Sequence, residues 1–250
     1  MRGCAVQRAL RFVQVLACVS CFVGTARAGG INLSWDDCGT FGSMTRNFAC
    51  NTNTGFNSMI ASAVSPIAMN QFDAASGVID LVTNQPTISP WWTMDSPGCR
   101  GGPPSAMSAD FFFVTGPFSC LDPWGGAASG GSNYQSAYPA PNRARIRLVC
   151  ALSTPQSINN SSEYYFFRIT FSNAKTTGAG SCVGCTDGAC ILFSQIQLAQ
   201  PVGVGDATVT NPLTRNFVLW QASGAGVLGG CPGATPTRNT TWGAVKSLYR

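Results

Sequence analysis

The chain of 250 residues contains no histidine, and only 10% of its residues are charged. Histidine is the commonest general base and the commonest metal ligand, so its absence excludes Ser-His-Asp catalysis and histidine-ligated metal sites. Lysine is also scarce, since only Lys175 and Lys246 are present. No zinc-protease, nucleophile-elbow or phosphate-binding-loop motif occurs. The sequence therefore lacks, or has very few of, the residues that the common classes of enzyme use for catalysis.

The N-terminal residues have the layout of a secretory signal peptide. Basic residues precede an apolar run from Phe12 to Gly24, and the small-residue sequence ARA follows at positions 26–28. The run is shorter than the roughly 20 residues of a membrane-spanning helix. We therefore expect a signal peptide over residues 1–28 and no membrane span in the mature protein. The alternative is a lipoprotein signal cut before Cys18, since the preceding residues resemble a lipobox.

Export would also change the net charge. Of the 15 basic residues, the four arginines of residues 1–28 would be lost, which leaves 11 basic against 10 acidic residues. The nearly neutral net charge of the mature protein gives no support for nucleic-acid binding. We predict a secreted or cell-envelope location, in the periplasm or on the outer surface, and no nucleic-acid partner.

Strand signals dominate after the signal peptide. Runs rich in β-branched and aromatic residues are separated by turn residues, and no stretch sustains a capped helical period. The fold class that this pattern predicts is all-β, an antiparallel β-sandwich of jelly-roll type over residues 29–222. A Gly-rich flexible tail is predicted over residues 223–250. The predicted strands are 31–35, 77–83, 109–115, 144–152, 163–172, 190–198 and 217–221.

Two long loops rich in Gly and Pro, Ser89–Pro104 and Gly116–Asn142, carry aromatic residues. Loops of this length in a compact domain are usually functional or disordered. Exposed Trp and Tyr side chains suit stacking on sugar rings or anchoring a protein partner. The alternative is that these side chains pack inward and seal the ends of the sandwich. The predicted binding residues are Trp91, Trp92, Trp124, Tyr134 and Tyr138.

Other candidate sites are less well supported by the sequence. Alternation along residues 142–150 places Arg143, Arg145 and Arg147 on one face of a strand. A solvated face or a guard against edge pairing is the plainer interpretation, and an anionic ligand site is the alternative.

A hydrolase would need two carboxylates, and only Asp95 and Asp122 lie where they could meet, with or without calcium. We expect no catalytic site, no metal and no other cofactor.

Nine of the 12 cysteines follow the signal peptide, and export predicts that they form disulfides. The sequence does not fix their connectivity. The cluster Cys182, Cys185 and Cys190 also offers three zinc ligands, with Cys150 or Cys231 as the fourth, although a disulfide-braced loop is preferred. The expected pairs are Cys38 with Cys50, Cys99 with Cys120, Cys150 with Cys190, and Cys182 with Cys185, which leaves Cys231 free for an intermolecular disulfide.

Several segments resemble exported proteins of environmental bacteria that have no assigned function. The resemblance covers most of the mature chain and implies a bacterial exported β-rich protein, without implying an activity or a site. We therefore expect a non-enzymatic structural or adhesive protein, with a carbohydrate-binding module as the alternative and a glycan or cell-surface protein as partner. The segments are INLSWDDCG (31–39), ACNTNTG (49–55), NRARIRLVCA (142–151), YYFFRITFSNAKTTG (164–178) and NPLTRNFVLWQ (211–221).

Overall fold

The computed structural model describes residues 29–221 and Cys231. These residues form eleven strands in two packed sheets, which confirms the predicted all-β class. The finer jelly-roll assignment stays a prediction. The predicted signal peptide and, apart from Cys231, the predicted tail lie outside the described residues. The strands are β1 (Gly30–Trp35), β2 (Thr45–Arg46), β3 (Phe56–Val64), β4 (Met69–Thr83), β5 (Met107–Asp110), β6 (Ser129–Ser136), β7 (Arg143–Ile158), β8 (Tyr164–Ser172), β9 (Ala189–Ala199), β10 (Ala207–Val209) and β11 (Phe217–Trp220).

The smaller sheet has four antiparallel strands in the order β1-β3-β8-β5. The larger sheet has the order β2-β11-β9-β4-β7-β6, with β10 paired to β9. Its pairs are antiparallel except that β2 runs parallel to β11. The long strands β4 and β7 lie side by side in the larger sheet.

Alternation along the strands decides which side chains enter the core. On β7, Ala144, Ile146 and Leu148 are buried, while Arg143, Arg145 and Arg147 alternate with them and face outward. Successive side chains of a strand point to opposite faces, so the arginines line the outer face of the larger sheet. The core between the sheets is rich in aromatic residues, and its fully buried side chains include Trp35, Phe72, Phe166, Phe167 and Trp220.

Strands β5 and β6 are edge strands on the same side of the sandwich. An open groove of about 470 Å³ lies between them and is lined by residues such as Asp110, Phe112 and Gly130. The first long loop contains a 3₁₀ turn at Pro90–Trp92. Among the described residues, no helix is long and apolar enough to cross a membrane.

Candidate functional site

The first long loop, residues 89–104, is called the tryptophan loop below. Trp91 and Trp92 are both fully buried, and their rings pack edge to face with centroids 4.7 Å apart. Both rings also contact Trp220, at 4.8 and 5.2 Å. The Trp91 indole N–H donates to the Thr176 hydroxyl (3.2 Å), and its backbone N–H donates to the Val183 carbonyl (2.9 Å). The loop aromatics are therefore part of the core.

Arg100 holds the tryptophan loop from inside. Its side chain is buried, and its guanidinium carbon lies 3.8 Å from the centroid of the Trp91 ring. It donates to the backbone carbonyls of Trp91 and Ser172, and no carboxylate of the described residues lies within 4 Å of it. Burial without a counter-ion lowers the pKa of Arg100 to about 10, because desolvation disfavours its charged form. The ring face of Trp91 replaces the missing counter-ion in part.

The remaining predicted binding aromatics differ in exposure, since two are buried and one is exposed. Trp124 is fully buried and donates its indole N–H to the Phe166 carbonyl (3.1 Å). Tyr134 is buried and donates its hydroxyl to the Trp92 carbonyl (2.5 Å), and burial raises the pKa of this phenol above its usual range. The prediction that Trp91, Trp92, Trp124 and Tyr134 form an exposed platform is therefore wrong, because each packs inward. Tyr138 alone is exposed, at 39%.

Asp95 and Asp122, the two carboxylates considered for a hydrolase, are not brought together. Asp95 accepts hydrogen bonds from the backbone and hydroxyl of Ser136, which pairs with the start of β7. Asp122 accepts the backbone N–H of Trp124, whose ring packs on Phe72 beside the far end of β7. At about 3.3 Å per residue along β7, the two carboxylates are tens of Å apart. They therefore form no catalytic pair.

The disulfides differ from the predicted pairs in every case. The bonds are Cys38–Cys120, Cys50–Cys185, Cys99–Cys182 and Cys190–Cys231. The sequence spacing favoured partners close along the chain, whereas the fold brings together loops that are distant in sequence. Cys182, Cys185 and Cys190 belong to three different disulfides, so the zinc alternative is also wrong.

Cys150, not Cys231, is the described cysteine without a disulfide. It faces the core from β7, and burial raises the pKa of its thiol to about 12. Cys231 bonds within the chain to Cys190, so it has no free thiol for the expected intermolecular disulfide. The bond also fixes Cys231 on the outer face of the larger sheet, where Cys190 packs with Leu192 and Leu219.

A second loop exposes its apolar side chains to solvent, whereas the tryptophan loop buries its own. This segment, residues 111–122, is called the phenylalanine loop. Phe111 and Phe113 face inward, whereas Phe112, Val114 and Phe118 are exposed. Sequence reasoning overlooked these residues because it looked for Trp and Tyr; the alternation of the run ADFFFVT was the available signal. We define the apolar loop surface as the exposed side chains of Phe41, Phe112, Val114, Phe118 and Leu121.

Arg168 and Tyr165 of β8 fix the phenylalanine loop to the smaller sheet. Arg168 donates to the Asp110 carboxylate (2.9 Å) and to the carbonyls of Phe112 and Gly116, and it lies over the Phe113 ring. The Phe113 ring stacks on Tyr165 at 4.8 Å. Backbone hydrogen bonds of 2.9 and 3.0 Å join the loop to β8 as well. The exposed side chains are thus carried by a backbone with many fixed contacts.

The Cys38–Cys120 disulfide joins this loop to the loop that carries Phe41. Tyr165 strengthens the junction, since its hydroxyl donates to the Asp37 carboxylate (2.8 Å) and accepts the backbone N–H of Cys120 (3.0 Å). The carboxylate of Glu163 also lies near the disulfide. It accepts hydrogen bonds from Asn32 (2.8 Å) and Ser62 (2.6 Å), so it serves as a local acceptor.

Comparisons with known proteins do not indicate a function for this chain. No family model and no curated protein matches the chain. Among solved structures, the chain resembles the cohesin module of a family 33 glycoside hydrolase from Clostridium perfringens, with 8% identity and a TM-score of 0.37, over 78% of this chain and 97% of that chain. A similarity of this size supports no conclusion about function.

Proposed function

We propose that the protein is a non-enzymatic, exported adhesive protein that binds an apolar surface of a cell-envelope protein through its apolar loop surface. The observation that carries the proposal is the exposure of Phe118, at 80%, together with four further large apolar side chains on two joined loops. Large exposed apolar patches on soluble proteins mark interaction sites. Phenylalanine is also enriched at the centres of protein interfaces.

The fixed backbone of these loops supports the proposal. The Cys38–Cys120 disulfide and the hydrogen bonds of Arg168 hold the exposed side chains in place before any partner arrives. A surface that is already ordered loses less conformational entropy on binding, so more of the gain from burying apolar area remains as affinity. Such an arrangement suits repeated adhesion to one kind of partner.

The charges beside the apolar loop surface favour a neutral partner. Arg168 is paired with Asp110, and Asp37 accepts hydrogen bonds from Cys38, Ser119 and Tyr165. Charged groups that are already satisfied inside the protein offer little to a charged ligand. The partner is therefore recognised by apolar contact rather than by ion pairs.

Adhesion to cells of the source organism tests the proposal. The secreted protein is added to cells from which its gene has been deleted, and the bound amount is measured over a range of protein concentrations. Replacing both Phe112 and Phe118 by Ser is expected to weaken binding at least about tenfold, since loss of central apolar anchors typically costs 2 kcal/mol or more.

Phe56→Ser is the matched control because Phe56 is exposed to a similar degree, 76%, at the start of β3 and outside the apolar loop surface. It is expected to bind as the parent protein does. Equal losses in the two variants would show non-specific apolar adsorption and overturn the proposal. The absence of any saturable binding by the parent protein would overturn it as well.

A further inference from the structure

The outer face of the larger sheet carries a row of arginines at some distance from the apolar loop surface. Arg143, Arg145 and Arg147 project from the same face of β7, since the residues between them are buried in the core. Alternate residues of a strand are about 7 Å apart, so the row extends over about 13 Å. It is a linear array of guanidinium groups on a rigid strand.

The central arginine is fixed and neutralised. The Nε atom of Arg145 donates to the Asp80 carboxylate on β4 at 2.7 Å, and Asp80 also accepts the Ser194 hydroxyl at 2.6 Å. Asp80 is almost fully buried, so this pair is part of the sheet structure. Arg145 therefore contributes little free charge to the row.

The two outer arginines keep their charge. Within the described residues, no carboxylate lies within 4 Å of Arg143 or Arg147. Arg147 donates to the neutral amide oxygen of Gln135 (2.8 Å) on β6. The row thus carries three guanidinium groups against one carboxylate, and its excess positive charge lies at its two ends.

Tyr138 covers part of the row with an aromatic ring. It lies in the connection from β6 to β7, and the guanidinium carbons of Arg145 and Arg147 are 5.2 and 5.6 Å from its ring centroid. The loop is closed by hydrogen bonds from the Tyr138 N–H to the Arg143 carbonyl (3.1 Å) and from the Arg143 N–H to the Ala140 carbonyl (3.0 Å). The ring is held against the arginines, yet the residue remains 39% exposed.

Amide side chains continue the surface on both sides. Strand register aligns Asn133 of β6 with Arg147, and Arg147 with Val78 of β4. Val78 is aligned in turn with Gln195 of β9. Amides donate and accept hydrogen bonds, as sugar hydroxyls do. An aromatic ring, unpaired guanidinium groups and amides therefore occur together on one side of the sheet.

We propose that this outer face binds an anionic polysaccharide. Tyr138 stacks on a sugar ring, and Arg143 and Arg147 each pair with a carboxylate or sulfate group of the polymer, for which the planar guanidinium is suited. A linear polymer with acid groups on its units matches a row along a strand. A nucleic acid is disfavoured because the expected mature chain is nearly neutral, with 11 basic and 10 acidic residues. The site is separate from the apolar loop surface and does not depend on the proposed adhesion.

Four probes test the inference with the mature chain: polygalacturonate for carboxylates, dextran sulfate for sulfates, neutral dextran, and a single-stranded oligonucleotide. Electrophoretic retardation in gels that contain each polymer gives the dissociation constants. We expect binding to one or both anionic polysaccharides, no binding to dextran, and weaker binding to the oligonucleotide. Whichever anionic polysaccharide binds more tightly identifies the preferred acid group.

Three substitutions sharpen the test. Arg147→Ala and Tyr138→Ala are each expected to weaken binding about tenfold, the usual effect of losing one charge-assisted hydrogen bond or one stacking contact. Arg46→Ala is the matched control, because it removes one exposed arginine that lies on β2 and pairs with Asp36. This variant is expected to change the dissociation constant less than about twofold, because the loss of an exposed ion pair has only a small effect on the protein.

Three results would overturn the inference. The first is no binding to either anionic polysaccharide. The second is an equal loss of affinity in the Arg46 and Arg147 variants, which would indicate that net charge alone drives binding. The third is tighter binding to the oligonucleotide than to both polysaccharides. Arg145 is left unchanged because its removal would leave the buried Asp80 carboxylate without its partner. Circular dichroism of each variant confirms that the sheets are intact, so that a loss of binding refers to the site.

Discussion

The tryptophan loop and the phenylalanine loop both carry aromatic residues, but they place them in opposite ways. Trp91 and Trp92 are fully buried, whereas Phe112 and Phe118 are exposed. In the first loop, Arg100 and the Tyr134 hydroxyl bind the backbone from the core side. In the second, inward-facing Phe113 anchors the backbone, and the side chains around it turn outward. The presence of aromatic residues in a loop therefore does not decide whether they belong to the core or to the surface.

The largest effect that distinguishes the two loops is expected from Trp91→Ala. Removal of a fully buried indole should lower the free energy of unfolding by about 3–5 kcal/mol. The loss should lie at the upper end, because Arg100 would also lose the ring that it contacts. Phe118→Ala should change stability by less than about 0.5 kcal/mol, as surface substitutions usually do. Denaturant unfolding of both variants measures the difference, and equal losses would contradict the distinction.

The next effect concerns the disulfides that hold each loop. Cys99–Cys182 and Cys38–Cys120 close segments of nearly equal length, with separations of 83 and 82 residues. The entropy that each removes from the unfolded chain is therefore the same. Replacing either pair by Ala should lower the free energy of unfolding by about 2–5 kcal/mol.

The two pairs should differ in cell binding. Loss of Cys38–Cys120 should weaken binding through the apolar loop surface, whereas loss of Cys99–Cys182 should not. Cell binding at a temperature where both variants are folded separates them. Equal binding of the two variants would show that the disulfide does not organise the apolar loop surface.

A smaller effect is expected from the tyrosine that anchors each loop. Tyr134→Phe leaves the buried Trp92 carbonyl without its donor, which should cost about 1–3 kcal/mol. Tyr165→Phe should cost less, because Asp37 keeps its hydrogen bonds from Cys38 and Ser119, and the Cys120 N–H that loses its acceptor is only partly buried. Thermal unfolding of the two variants measures both costs, and the reverse order would contradict the predicted roles.

The same tyrosines give the protein a pH dependence. Burial raises the pKa of Tyr165 to about 12, above the phenol value of about 10 in an unfolded chain. The folded state thus holds this proton more tightly than the unfolded state does. Its contribution to stability is complete below pH ~10 and is lost as the pH rises toward 12. Unfolding measured between these values should show a shallower decline for Tyr165→Phe than for the parent; identical slopes would contradict the assignment.

The last prediction concerns the reactivity of Cys150, which is buried on β7. Its buried thiol has a pKa raised to about 12, so it should not react with a thiol reagent at pH 8 in the folded protein. After unfolding without reductant, one thiol per mature chain should react. Mass spectrometry of the labelled peptide identifies the residue. Rapid labelling of the folded protein, or label on Cys231, would contradict the disulfide connectivity.

The sequence was sufficient to predict the fold class and several strands, but not two strands of particular interest. β3 reads FNSMIASAV, and its small residues are buried on both faces between β1 and β8, so the expected alternation is absent. β6 reads SGGSNYQS and lies at an edge with most residues exposed, so it has no hydrophobic pattern at all. In both cases the position in the sheet determined the structure, because the residues of the segment show no clear strand preference.

The candidate sites show the same limit. The alternation that placed the arginines of β7 on one face could be read directly from the sequence. The contact of Arg145 with Asp80 could not, since it depends on the register between β4 and β7. Likewise, the cysteines were predicted to form disulfides, but pairs such as Cys50–Cys185 require loops 135 residues apart to meet.

Hydroxyl-radical footprinting of the folded protein tests the contrast between the two loops most directly. Oxidation of each aromatic residue is measured by mass spectrometry as a function of exposure time and is normalised to the unfolded chain. The structure predicts rapid oxidation of Phe41 and Phe118, and strong protection of Trp91, Trp92 and Trp124. Rapid oxidation of those tryptophans with protection of Phe118 would show that the tryptophan loop carries the exposed aromatic surface, and would contradict the proposed binding surface.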